Sequence, residues 1–145
     1  MDNRKIKILI VDDDEMMRIF FRDVFWIHGR SNIYDVSIAS SLEEAETIIN
    51  NKETRPDTIF LDVMMNSPCF KSSTNDQIER CFSFIRKIKN SQDLSHIKII
   101  INSGYREKNI EENFRKIGVD DFIIKGDMMP KEIVDYTDKL HERNN

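Results

Sequence analysis

The stretch Ile8–Met17, ILIVDDDEMM, runs four apolar residues into three consecutive aspartates and then turns helical. The run Ile6–Val11 is short, apolar and β-branched, which reads as a buried strand. Asp12, Asp13 and Asp14 stand at its mouth. Carboxylates this close repel one another and raise one another's pKa. A solvated helix start tolerates that, and so does a site that holds a divalent cation.

Outward from this stretch, strand and helix signals alternate. Met16–His28 reads as a helix with Met17, Phe20, Phe21, Val24 and His28 on its inner stripe, stopped by Gly29. On that stripe Ile19 and Trp26 point almost the opposite way, beside Arg22 and Asp23, at about 100° per residue. Tyr34, Val36 and Ile38 alternate with polar residues, as in an edge strand with one wet face. Ser41 and Glu44 form a capping-box pair for a helix through Asn51. Thr58–Leu61 and Ile97–Ile101 read as further buried strands, and Phe122–Ile124 as a short last one. Between them lie helices striped by Ile78, Cys81, Phe82, Ile85 and Ile88, and by Ile110, Phe114 and Ile117. Pro130 opens a final helix with Ile133, Thr137 and Leu140 inward. Five strands alternating with five helices imply an α/β fold, a doubly wound parallel sheet covered on both faces. The stretch Val63–Thr74 is a long polar connection.

Composition narrows the function. The chain has 145 residues, which suits a single domain over 1–145. Its net charge of -4 and the lack of a basic stripe argue against direct nucleic-acid binding. No apolar run approaches the roughly 20 residues of a membrane span. The apolar part of MDNRKIKILIVDDD is too short for a signal peptide, so a cytoplasmic location is expected. Cys69 and Cys81 are then free thiols.

In open α/β sheets, ligands bind beyond the carboxyl ends of the strands. Asp12, Asp13 and Asp14 follow the first strand, Asp62 the third, Ser103 the fourth (after Asn102) and Lys125 the fifth. Carboxylates with a backbone carbonyl and waters suit Mg2+. Such an ion would leave Asp62 ionised and able to act as a nucleophile. A hydroxyl and an ammonium opposite it would hold the oxygens of an incoming phosphoryl group.

With these residues in place, the chain resembles the bacterial response-regulator receiver domain of two-component signalling. The matching pieces are ILIVDDDEMMR, TIFLDVMM, IIINSGY and GVDDFIIKGD, and the resemblance covers roughly Lys5 to Leu140. It implies a flavodoxin-like (βα)5 fold with strand order 2-1-3-4-5. It implies that Asp62 is the phosphoacceptor and that Asp12, Asp13, Asp62 and the Met64 carbonyl hold Mg2+. Ser103 and Phe122 match the switch positions, and Lys125 the lysine that contacts the phosphoryl group. Asp14 has no role in the shared motif and is expected to cap the first helix.

Three departures from the family pattern stand out. Asn66-Ser67-Pro68 replaces the usual Pro soon after the phosphoacceptor, in a loop about ten residues longer than usual. Gly126 follows Lys125 where the family usually has Pro, so a trans bond and a reshaped loop are expected. The switch hydroxyl is a serine rather than the commoner threonine.

Two other functions compete. Asp12 and Asp14 also form the Asp-x-Asp of haloacid-dehalogenase-type phosphatases, a reading that leaves Asp62 idle. A receiver-like interaction module that is never phosphorylated would leave the whole site idle. The reading adopted is a stand-alone receiver, since nothing follows Asn145. It is not an enzyme beyond catalysing its own phosphorylation and dephosphorylation. Its phosphodonor is expected to be a histidine kinase or histidine phosphotransfer protein, and its output a downstream protein. The surface around Ile19 and Trp26, extended by Met16, is the expected docking face, with a phosphorylation-dependent dimer as the alternative occupant.

Overall fold

Short apolar runs pair side by side into one parallel sheet, with strands β1 (Ile6–Val11), β2 (Tyr34–Ala39), β3 (Thr58–Leu61), β4 (Lys98–Ser103) and β5 (Asp121–Ile124). Their spatial order is β2-β1-β3-β4-β5, as the family resemblance implies. The structure is a computed structural model that describes residues 4–28, 33–63, 74–104 and 108–142. The helices are α1 (Glu15–His28), α2 (Leu42–Asn50), α3 (Thr74–Lys89), α4 (Lys108–Lys116) and α5 (Pro130–Leu140). The chain leaves β1 toward β2 on one side and returns to β3 on the other. That reversal opens a crevice at the carboxyl ends of β1 and β3.

Side chains alternate across a strand, so a doubly covered sheet needs apolar residues at consecutive positions. Leu9, Val11, Ile59, Leu61, Ile99 and Ile101 bury one face against α2, α3 and α4. Ile8, Ile10, Phe60 and Ile100 bury the other against α1 and α5. At the amino-terminal rim two aspartates latch neighbouring strands. Asp57 Oδ2 accepts the Lys7 amide at 2.8 Å, and Asp120 Oδ2 accepts the Ile99 amide at 2.7 Å. Ser41 caps α2 by accepting the Glu44 amide at 3.1 Å, but the Glu44 carboxylate returns to the Ser40 amide, one residue earlier than a capping box requires.

The structure corrects several sequence expectations. In α1 the buried residues are Phe21, Val24 and Phe25. Phe20 is 40% exposed, and His28, the last residue of the helix, is also exposed. The cause is aromatic packing: Phe25 meets Tyr34 at 5.2 Å and Phe60 at 6.2 Å, while Phe21 meets Phe60 at 5.7 Å. These contacts turn the helix so that Ile19 is half-buried, while Trp26 stays exposed. β4 runs on through Asn102 and Ser103 because both pair with β5. Phe84 joins the buried face of α3, and Val134 that of α5, where Leu140 is half-buried. Of the long connection Val63–Thr74, residues 64–73 lie outside the described residues.

His141, just past α5, places Nε2 2.5 Å from Thr58 Oγ1 at the start of β3. Burial lowers its pKa below 6.5; Lys98 adds to this and Asp57 opposes it. The folded chain therefore binds fewer protons than the unfolded one between the lowered value and 6.5, so stability falls as pH drops through that window. Denaturant unfolding at stepped pH from 7.5 to 5.5 should show this slope, and His141→Gln should flatten it. An unchanged slope in the variant contradicts the assignment.

Candidate functional site

The sheet's hydrogen-bond ladder runs one step past its strands and fixes the site residues. The Asp12 amide donates to the Ala39 carbonyl at 3.0 Å, Asp62 to Val11 at 2.9 Å and Lys125 to Ser103 at 2.7 Å. Each functional side chain thus leaves a backbone held as firmly as a strand. The Asp12 carbonyl is also held by Arg18 from α1, at 2.7 Å. This residue was missed in the sequence, although its place one turn into a helix that follows the acidic run is a usable signal.

At the crevice Asp12 and Asp62 are buried, 1% and 3% exposed, while Asp13 is half-buried. The Lys125 ammonium bridges the two buried carboxylates, 2.9 Å from Asp12 Oδ2 and 3.3 Å from Asp62 Oδ2. Asp12 Oδ1 accepts the Asp14 amide at 2.9 Å. Burial works against the Lys125 cation, but Asp62 and Asp12 together outweigh it and hold its pKa above the ordinary lysine value. Asp13 is pushed up by burial first and by the charge of Asp12 second, with Lys125 opposing. Asp14 is exposed and faces away: its Oδ1 accepts the Met16 amide at 2.9 Å and its carbonyl the Arg18 amide, so it caps α1 as expected.

The donor set fits a hard divalent cation. One oxygen from each of Asp12, Asp13 and Asp62 falls within 4.8 Å of the others. At an effective dielectric near 20, each such pair repels by roughly 3–4 kcal/mol. Three carboxylates and one ammonium leave a formal charge of about −2, which one Mg2+ would cancel with oxygen ligands alone. Met64, whose carbonyl completes the expected set, lies outside the described residues.

Ser103 is the last residue of β4 and is 2% exposed. Phe122 is 3% exposed, with its ring centroid 6.5 Å from that of Phe114 on α4. Gly126 takes φ +88°, a backbone region that strains any residue with a Cβ. There is no cis peptide among the described residues, so the Lys125–Gly126 bond is trans, as expected from the missing proline. Cys81 is buried, and burial, with Asp62 adding, pushes its thiol up to about 12, which makes it inert. Cys69 lies outside the described residues. No helix among them is long and apolar enough to cross a membrane.

The chain is similar to known proteins in sequence and in fold. The chain is 30% identical over 120 residues to the response regulator protein VraR of Staphylococcus saprophyticus, covering 83% of this chain and 49% of VraR. It therefore spans about half the length of that relative. It is 25% identical over 126 residues to the polar-differentiation response regulator DivK of Brucella ovis, covering 87% of this chain and 89% of DivK. A response regulator structure from Thermotoga maritima superposes with a TM-score of 0.73 at 19% identity, covering 94% of this chain and 98% of the other, a likeness of fold. Residues 8–137 match the response regulator receiver domain, and with the sheet order and the acidic crevice this places the chain in that family of two-component signalling proteins.

Proposed function

We propose that the chain is a phosphoacceptor switch in which Asp62 takes a phosphoryl group from a phosphohistidine. The observation that carries this reading is the buried pair Asp12 and Asp62 bridged by Lys125, with Asp13 beside them. A P–O bond forms between an Asp62 carboxylate oxygen and phosphorus. The P–N bond breaks, and its electron pair returns to the donor imidazole. Mg2+ held by Asp12, Asp13 and Asp62 would screen the carboxylates from the anionic donor and balance charge on the transferring oxygens. Lys125 supplies a second cation on the same group, and Ser103 a hydroxyl. Attack by water on the acyl phosphate then resets the site.

The haloacid-dehalogenase alternative is disfavoured by geometry. Its acid/base would be Asp14, which is exposed and spent on capping α1. The chain is accordingly read as a switch rather than an enzyme with a separate substrate. Incubation with acetyl phosphate and Mg2+ should label Asp62, as mapped by mass spectrometry. Asp62→Asn or added chelator should remove the label. Full labelling in both conditions overturns the mechanism.

Output is read as passing through Ser103 and Phe122 to a partner protein. The Phe122 ring described here already lies inward, against Phe114. A switch requires a second, outward position whose population falls when the Ser103 hydroxyl is drawn to a phosphoryl group. Fluorine NMR of 4-fluorophenylalanine at position 122 should show two environments whose ratio shifts on phosphorylation. One unchanged resonance contradicts the switch.

The phosphodonor, a histidine kinase or phosphotransfer protein, is read as docking on α1. Met16, Trp26 and Ile27 there are 73%, 72% and 67% exposed, and Met16 adjoins the acidic loop. Trp26→Ala combined with Ile27→Ser should lower transfer from the cognate kinase about tenfold or more, in line with losing an aromatic anchor. Labelling by acetyl phosphate should stay the same. Equal loss with both donors, or no loss with either, removes the docking assignment.

A further inference from the structure

Asn102 is the anomaly of the sheet. It follows Ile99, Ile100 and Ile101 on β4, pairs with Ile123 and is 3% exposed. By strand alternation its side chain shares the α1/α5 face with Ile100. Its Oδ1 is the one buried side-chain oxygen or nitrogen among the described residues that has no hydrogen-bond partner. An aliphatic residue would fill this position at no polar cost, whereas a buried amide carbonyl without a donor is strongly disfavoured.

The same residue borders a small cavity of about 40 Å³ that Lys125 and Gly126 also line, with Met17, Phe21 and Ile133 as apolar walls. That volume suits a single water, which needs two or more polar partners. An ammonium has three N–H donors, and Asp12 and Asp62 account for two of those of Lys125. Both carboxylates are also the groups that a divalent cation would claim. If Lys125 remained on them, it would compete with the ion. The neutral amide carbonyl of Asn102, in the cavity that Lys125 also lines, offers an acceptor that adds no charge to the site.

We propose that Asn102 is a positioning residue for Lys125: through one water in the shared cavity, its carbonyl receives the ammonium when a cation or phosphoryl group draws Asp12 and Asp62 away. This rests on the proposed function, which supplies the competitor for the two carboxylates. The Lys125 side chain then has two resting places. One is the carboxylate pair seen here, and the other is the water-bridged amide.

Val and Thr are isosteres that differ by a hydroxyl, so Asn102→Val removes the acceptor and Asn102→Thr restores one in the same shape. Mg2+ affinity by calorimetry should be about fivefold weaker in Asn102→Val, the size of one lost hydrogen bond, and within about twofold of wild type in Asn102→Thr. A role in packing alone leaves the affinity equal in all three proteins while the valine variant becomes more stable, and that result overturns the proposal. A high-resolution crystal structure of the wild type grown with Mg2+ should show one water joining Asn102 Oδ1 to Lys125 Nζ. Its absence counts against the proposal even if the affinities differ. No Mg2+ binding by the wild type overturns the proposed function, whereas Mg2+ binding with equal affinities, or without that water, overturns the role of Asn102 alone.

Discussion

The ammonium of Lys125 sits 2.9 Å from Asp12 and 3.3 Å from Asp62, two carboxylates almost without solvent. The rest of the molecule makes that contact possible. Asp12 and Asp62 come from adjacent strands, because the chain reverses direction between β2 and β3. Lys125 reaches them from the end of β5, across the width of β4. Two buried anions would be untenable alone, and one shared cation offsets only part of their repulsion. Asp13 adds a third negative charge beside them and leaves the site short of positive charge.

Rigidity around this site has a clear origin. Each of Asp12, Asp62 and Lys125 is tied by its own amide to the neighbouring strand. The opposite rim is latched by Asp57 and Asp120, so the sheet is fixed at both ends. In the proposed switch the parts that move are the Lys125 side chain and the Phe122 ring. Under the proposed function, fixed carboxylates and adjustable partners would suit a site that accepts and releases a phosphoryl group.

Much of this was legible in the sequence, for a physical reason. Parallel strands buried on both faces read as unbroken apolar runs, and ILIV, TIFL and FII are such runs. The first polar residue after each therefore marks the rim, which placed Asp12, Asp62 and Lys125 together before any coordinates. The inner face of α1 was not legible. Phe20 and Phe21, or Phe25 and Trp26, are neighbours about 100° apart on a helix, and hydrophobicity alone cannot choose between them. Contacts of Phe21 and Phe25 with Phe60 and Tyr34 decide the matter, and these are long-range. Asn102 was passed over as one more polar residue after a strand, yet it is paired within β4 and buried. Its signal is a polar side chain at a position whose alternation demands an apolar one.

On the proposed function, three carboxylates and one ammonium form a binding site for one divalent cation. Calorimetric titration of Mg2+ into the wild type and into Asp13→Asn tests it most directly. Asp13 is half-buried and lies beyond the end of β1, so the variant should keep its fold, which circular dichroism checks. One ion should bind per chain in the wild type, and binding should be lost or weakened about tenfold or more in the variant, whose site has a formal charge of about −1. Equal binding in both proteins, or none in the wild type at millimolar Mg2+, contradicts it.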